Sequence, residues 1–193
     1  LLGNLGGGSD HVGFYTFAGV PSLGAGMKGA SPIYHSAYDN FAWYQRFADT
    51  SFVHGPALAR VDGILALRLA NADVLPYDVV RYATDLRAHL NDLTEHANEG
   101  GATTDFDRLH AAIDSLETAA DAFVRARDAA LAQNAGTVPD ELNQDMIGLE
   151  KAFLHAPGLQ GHPLKRSLYA SPDPFSGYAS WMLPGLRYEI DAG

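Results

Sequence analysis

Apolar side chains in the second half of this chain recur at helical spacing. Val79, Tyr82, Leu86, Leu90 and Leu93 step by three, four, four and three, and Gly100-Gly101 then stops the pattern. Phe106, Leu109, Ile113, Leu116, Ala120 and Phe123 form a second single-face stripe, with Thr103 or Thr104 available as its N-cap. Leu142, Met146, Leu149 and Phe153 form a third stripe after Thr137, with Pro139 in its first turn. Each stripe buries roughly four to six large side chains at about 1.5–3 kcal/mol each, before entropy is subtracted. No such helix is stable alone, so the pattern predicts a bundle.

The first half is patterned differently. Gly6-Gly7-Gly8, followed by Ser9-Asp10-His11, reads as a tight loop where the backbone approaches something closely. It is not a phosphate loop, because no Lys-Ser/Thr follows. Val12 to Phe17, and then Ala18-Gly19-Val20-Pro21, read as a short helix or turn leading into a buried strand. A glycine-rich loop runs from Ser22 to Pro32. From Ser36, the positions Phe41, Tyr44 and Phe47 or Ala48 predict a helix to about Ala48. Pro56 suits the first turn of the next helix, whose run from Ala57 to Ala70 is apolar nearly all round and predicts burial between two layers. Residues 71–76 end that helix, and the domain boundary is placed there. From Ala156 to Gly185 the chain is irregular and rich in Pro and Gly, which marks a functional or covering loop. A further helix begins near Arg187.

Composition narrows the function classes. A formal net charge of -10 over 193 residues argues against a nucleic-acid partner, since nothing here neutralises a run of phosphates. No stretch of eighteen or more apolar residues exists, so the sequence contains no membrane span. The absence of cysteine removes disulfides, thiolate nucleophiles and cysteine-ligated zinc together. The first residues lack the basic start and apolar core of a signal peptide, and no Met begins them. We therefore expect a piece of a longer protein, its localisation unspecified by these residues, with an exported or membrane-anchored parent compatible with them.

Eight histidines are present. His89 and His96 share a helix face with nothing converging on them, and His54, His110, His155 and His162 have no partner at ligand spacing. There is no His-Glu-x-x-His and no Gly-x-Ser-x-Gly. His35 has a distinct setting: it follows a glycine-rich loop and Pro32, sits at a helix entry, and lies between Tyr34 and Tyr38. It reads either as a hydrogen-bonded histidine at a domain junction or as a metal ligand. A ligating imidazole needs an acceptor for its second ring N–H, for which Asp39 and Asp10 are candidates.

An ordered set of short motifs sharpens this choice. Leu5-Gly6-Gly7-Gly8-Ser9-Asp10 with Phe14, Gly19-Val20-Pro21, Tyr34-His35-Ser36-Ala37-Tyr38-Asp39, and Leu75-Pro76-Tyr77-Asp78 stand in sequence. Leu149-Glu150-Lys151-Ala152-Phe153, Gly177-Tyr178-Ala179 and Leu183-Pro184-Gly185 follow. Together they resemble the glutamate carboxypeptidase II and transferrin receptor family over essentially the whole chain. The resemblance implies a mainly α fold: residues 1–73 as the C-terminal edge of an α/β zinc-peptidase domain, and residues 74–193 as a helical-bundle dimerisation domain whose last helix is cut short. It implies His35 as a zinc ligand, Tyr34 as a catalytic hydrogen-bond donor to the oxyanion, and Tyr178, Gly8 and Ser9 at the substrate. Asp10 and Asp39 would support the ligands. Two zinc ions, a peptide substrate and a homodimer are the implied cofactors and partners.

Three positions depart from the family pattern. Gly177 stands where the glutamate-specific enzymes have a Lys, the loop around Gly24 and Gly26 lacks their arginines, and Ser9 replaces an Asn. The lost positive charge predicts a broader exopeptidase, of carboxypeptidase or aminopeptidase type, rather than selectivity for acidic dipeptides. The alternative is a non-catalytic, receptor-like binding and dimerisation module. In either case the isolated chain is expected to be inactive and to hold no stoichiometric zinc, because a catalytic zinc needs about three protein ligands.

Overall fold

The computed structural model of the chain describes residues 3–27, 32–133 and 140–192. It is mainly helical, with α1 (His11–Ala18), α2 (Phe41–Trp43) running into a π-helical turn (Tyr44–Ala48), α3 (His54–Ala70), α4 (Val79–Glu99), α5 (Asp107–Ala132), α6 (Asp140–Ala152) and α7 (Pro184–Ala192). Two three-residue strands, β1 (Ala170–Pro172) and β2 (Ser180–Met182), pair antiparallel with Ser171 opposite Trp181. The chain forms two compact units, one of residues Leu23–Asp73 and the other of Leu1–Ser22 together with Val74–Gly193. Residues 3–22 thus group with the bundle residues.

The larger unit is built on the predicted stripes. Asp78 accepts a hydrogen bond from Arg81 N (3.2 Å) and caps α4, and Gly101 with φ +76 lies past its end. Leu86, Leu90 and Ala83 of α4 meet Ile113 of α5, and Phe106, Leu116, Phe153, Tyr169, Leu183 and Leu186 close around them. Leu90 is only 1% exposed. Arg87 of α4 reaches Asp114 (2.7 Å) and Glu117 (2.9 Å) on α5. Tyr82 donates to Glu150 Oε1 at 2.5 Å, bringing α6 onto the same face of α4. Open apolar grooves of about 360 and 520 Å³ remain between α4, α5 and α6 and between α4, α5 and α7.

Four expectations change. No strand follows α1: Gly19, with φ +61, ends the helix in the left-handed region and donates to Phe14 O, as Val20 N also does at 3.0 Å. The start of α5 is not capped by Thr103 or Thr104. Phe106 takes the N-cap position because its ring is drawn into the core, and Asp105 accepts from Asp107 N at 3.0 Å. The irregular C-terminal stretch contains the β1–β2 hairpin. Finally, no residue of α3 is buried; Val61, Ile64 and Leu67 are 54, 53 and 65% exposed. Among the described residues its unit holds, besides α3, only α2, the π turn and loops, too few side chains to cover an all-round apolar helix. Thr137, Pro139 and residues 28–31 lie outside the described residues.

Within the smaller unit, Asp49 organises the entry to α3. Its buried carboxylate accepts from Val53 N (2.9 Å), His54 N (2.9 Å), Gly55 N (3.1 Å) and Tyr44 Oη (3.0 Å). Burial pushes its pKa up, but the N–H groups of Gly55 and Val53, the Tyr44 hydroxyl and the His54 N–H outweigh that and hold it below the ordinary value. The charge also suits a helix N-terminus.

Candidate functional site

The N-terminal glycine loop closes on the C-terminal hairpin. Gly7 N donates to Tyr178 O at 2.8 Å. A Cβ at Gly7 would stand 1.8 Å from Gly177 O, and one at Gly8 would stand 2.7 Å from Cδ1 of the Tyr178 ring. Bare backbone is therefore required for this approach, and Gly8 also holds φ +82. The Tyr178 ring lies against Gly8 while remaining 53% exposed. Two of the predicted substrate positions are thus brought together. Ser9 and Asp10 are exposed at the start of α1, where Val12 N donates to Ser9 O (3.3 Å) and the Asp10 side chain makes no capping bond. His11 Nε2 lies 2.9 Å from Gly6 O, tying the loop to the helix that follows.

A residue not singled out from the sequence shapes the other side of this contact. Asp173 is buried, and its carboxylate accepts from Phe175 N (2.9 Å), Ser176 N (2.6 Å), Ser176 Oγ and Ala179 N (3.1 Å). Its own N–H donates to Ala179 O (2.9 Å), and its carbonyl accepts from Gly177 N (3.1 Å). Tyr178 N donates to Ser176 Oγ at 3.1 Å. The Ser176 hydroxyl and N–H, helped by Phe175 and Ala179 N–H against burial, hold the Asp173 pKa down at about 2. The signal was present in Asp173-Pro174-Phe175-Ser176, an arrangement that favours a side-chain-to-backbone turn.

The smaller unit carries Tyr34, His35 and Asp39 on a run of turns. Ser36 N donates to Ile33 O (2.9 Å), Asp39 N to Ser36 O (3.0 Å), and Asn40 Nδ2 to Ala37 O (3.0 Å). Asn40 then caps α2 by accepting from Trp43 N at 3.1 Å. His35 sits at φ +61, a left-handed backbone uncommon for a residue with a side chain. Its ring stacks on Tyr34 with centroids 3.9 Å apart, and both residues are exposed. Asp39 is exposed one turn on, and no hydrogen bond joins it to the His35 ring among the described residues. This group and the Gly8–Tyr178 group belong to different units, each described within itself. Among the described residues, no three His, Asp or Glu side chains gather to hold a metal ion.

Two further histidines contact other elements of the bundle unit. His96 Nε2 lies 2.6 Å from Asp191 Oδ1 and links α4 to α7. His89 is half-buried edge-on to Tyr169 (6.3 Å), and burial lowers its pKa against the opposing charges of Asp85 and Asp92.

Known proteins share similarity with this chain. Residues 104–193 match the transferrin receptor-like dimerisation domain. A protein of Arabidopsis thaliana named probable glutamate carboxypeptidase LAMP1 is 32% identical over 186 residues, 96% of this chain and 27% of its own length. Probable glutamate carboxypeptidase VP8 of Zea mays is 29% identical over 188 residues, 94% of this chain and 26% of its own. Aminopeptidase NAALADL1 of Mus musculus is 30% identical over 201 residues, 93% of this chain and 26% of its own. The chain spans about a quarter of the length of these curated relatives. Residues 104–193 thus match the transferrin receptor-like dimerisation domain, and nearly the whole chain is similar to proteins named probable glutamate carboxypeptidases and an aminopeptidase.

Proposed function

We propose that this chain is the C-terminal part of a zinc-dependent exopeptidase, supplying one metal ligand, one wall of the substrate pocket and a dimerisation surface. The observation that carries this reading is the alignment of nearly the whole chain with relatives named carboxypeptidases and an aminopeptidase. The donor chemistry fits in part: His35 offers an exposed imidazole with no hydrogen bond among the described residues, on a strained backbone of the kind found at functional sites. Since a catalytic zinc needs about three protein ligands, the others would come from residues outside these 193.

Zinc, when bound, would polarise the scissile carbonyl and lower the pKa of an attacking water. Tyr34 would donate its phenolic proton as a hydrogen bond toward the charge that develops on the carbonyl oxygen, where a fixed donor contributes most. His35 would ligate through a ring nitrogen lone pair. Tyr178 would orient the substrate by a hydrogen bond, with the glycine loop holding it in place. Without a Lys at Gly177, that contact lacks a cationic partner, which favours a broad rather than acidic substrate range. The apolar grooves beside α5 and α7, with the domain match, support self-association of the full-length protein as a homodimer.

The test is hydrolysis of alanyl-leucine, of an N-acetylated dipeptide and of an aminoacyl p-nitroanilide by the zinc-loaded full-length protein and its His35→Ala variant. Expected are cleavage by the parent, loss of cleavage in the variant and less zinc per chain by elemental analysis. Unchanged activity and zinc content in His35→Ala would overturn the assignment. No cleavage by a zinc-loaded parent would favour the receptor-like alternative. The 193-residue chain alone should show neither activity nor stoichiometric zinc.

A further inference from the structure

We infer that Asp173 is the positioning residue for Tyr178: its buried carboxylate fixes the turn that presents the phenol, so substrate binding at Tyr178 depends on it. The inference rests on the reading of Tyr178 as a substrate-orienting residue. Between β1 and β2 the turn has N–H groups at residues 175 to 179, Pro174 having none. Those of Phe175, Ser176 and Ala179 go to the Asp173 carboxylate, and that of Gly177 to the Asp173 carbonyl. The remaining one, from Tyr178, goes to Ser176 Oγ, whose own proton is given to Asp173 Oδ2. Every N–H from residue 175 to residue 179 is therefore held by Asp173 directly or through Ser176.

Packing at the tip is slight: Phe175 is 88% exposed, its ring centroid 6.1 Å from that of Trp181 in a T-shaped arrangement. A short hairpin of this kind closes with two residues. The longer turn wrapped around one carboxylate instead sets Tyr178 beside Gly8, where its carbonyl accepts from Gly7. A phenol fixed through its backbone on both sides is preorganised and loses little freedom on binding substrate. Ser176 belongs to the same device, since it passes the hold of Asp173 on to the Tyr178 N–H.

The test measures KM and kcat for alanyl-leucine with the zinc-loaded full-length protein. Tyr178→Phe should raise KM about tenfold with kcat changed less than about twofold. Asp173→Ala and Ser176→Ala should shift KM in the same direction with the same split. The Asp173→Ala/Tyr178→Phe double variant should be no worse than the poorer single one, because both changes remove one contact. A purely structural role would instead lower the amount of folded enzyme, which reduces kcat and leaves KM unchanged. Asp173→Asn carries the test if Asp173→Ala does not fold: it keeps the Oδ1 acceptor for the Phe175 and Ser176 N–H groups but sets an amide N–H₂ against Ala179 N–H and the Ser176 hydroxyl, for a KM rise of about threefold. If Tyr178→Phe leaves KM unchanged, the reading of Tyr178 fails and takes the inference with it. If Tyr178→Phe raises KM while the Asp173 and Ser176 variants do not, or if the effects multiply, the positioning role alone is overturned.

Discussion

Gly7→Ala is the sharpest probe of the contact between the glycine loop and the hairpin. The added Cβ would stand 1.8 Å from Gly177 O, 2.8 Å from Gly177 C and 2.9 Å from Pro172 Cβ. Two of these are backbone atoms that no rotamer change removes. Reaching an ordinary contact near 3.5 Å requires the loop and hairpin to part by roughly 1.5 Å, which also breaks the 2.8 Å bond from Gly7 N to Tyr178 O. Overpacking costs about 1–3 kcal/mol and a lost hydrogen bond about 0.5–1.5 kcal/mol, so a destabilisation of about 2–4 kcal/mol is expected. Gly13→Ala, a few residues away in α1, is the control of opposite sign. Nothing lies within 4 Å of its added Cβ, and alanine in a helix should stabilise by about 0.5–1 kcal/mol. Urea unfolding followed by Trp181 fluorescence, in a Trp43→Phe background that silences the other indole, reads the larger unit by itself. Midpoints for Gly7→Ala and Gly13→Ala that coincide with the parent would refute the steric reasoning.

Leu90→Ala removes the most enclosed large side chain of the α4–α5 core and should cost about 2–5 kcal/mol by the same unfolding measurement. The Asp173 turn should be acid-sensitive. Its folded pKa lies near 2, below the ordinary value of 3.8, so its contribution is complete above about pH 4 and is lost as pH falls toward 2. Hydrogen exchange at the Ala179 amide should lose protection over that window, and Asp173→Asn should remove the pH dependence.

What the sequence disclosed followed its periodicity. The spacing of Leu86, Leu90 and Ile113 predicts a helical core because a 3.6-residue repeat needs no knowledge of the partner, and they form that core. The β1–β2 hairpin escaped because strands of three residues leave no alternation to detect, and because the bonds that define it run to one Asp side chain. Phe106 reads as the first rung of a stripe, yet it takes the N-cap position of α5 because burial of its ring outweighs the cap preference of a threonine. At the site, Gly6-Gly7-Gly8 signalled a close approach but not what it approached. That answer is Tyr178, about 170 residues away, and only tertiary structure supplies it.

That separation has a consequence for biosynthesis. The acceptor for Gly7 is the carbonyl of Tyr178, so the glycine loop leaves the ribosome with nothing to close against. At about 5–20 residues per second, its partner follows roughly 10–30 s later. The bundle stripes pair locally and have time to form in that interval, whereas the loop–hairpin contact is a late event that depends on nearly the whole length of this chain. A premature stop between Ala152 and Tyr178 would leave α4, α5 and α6 attached to an open glycine loop. Such a product would look folded by helical content and still lack the surface on which Tyr178 sits.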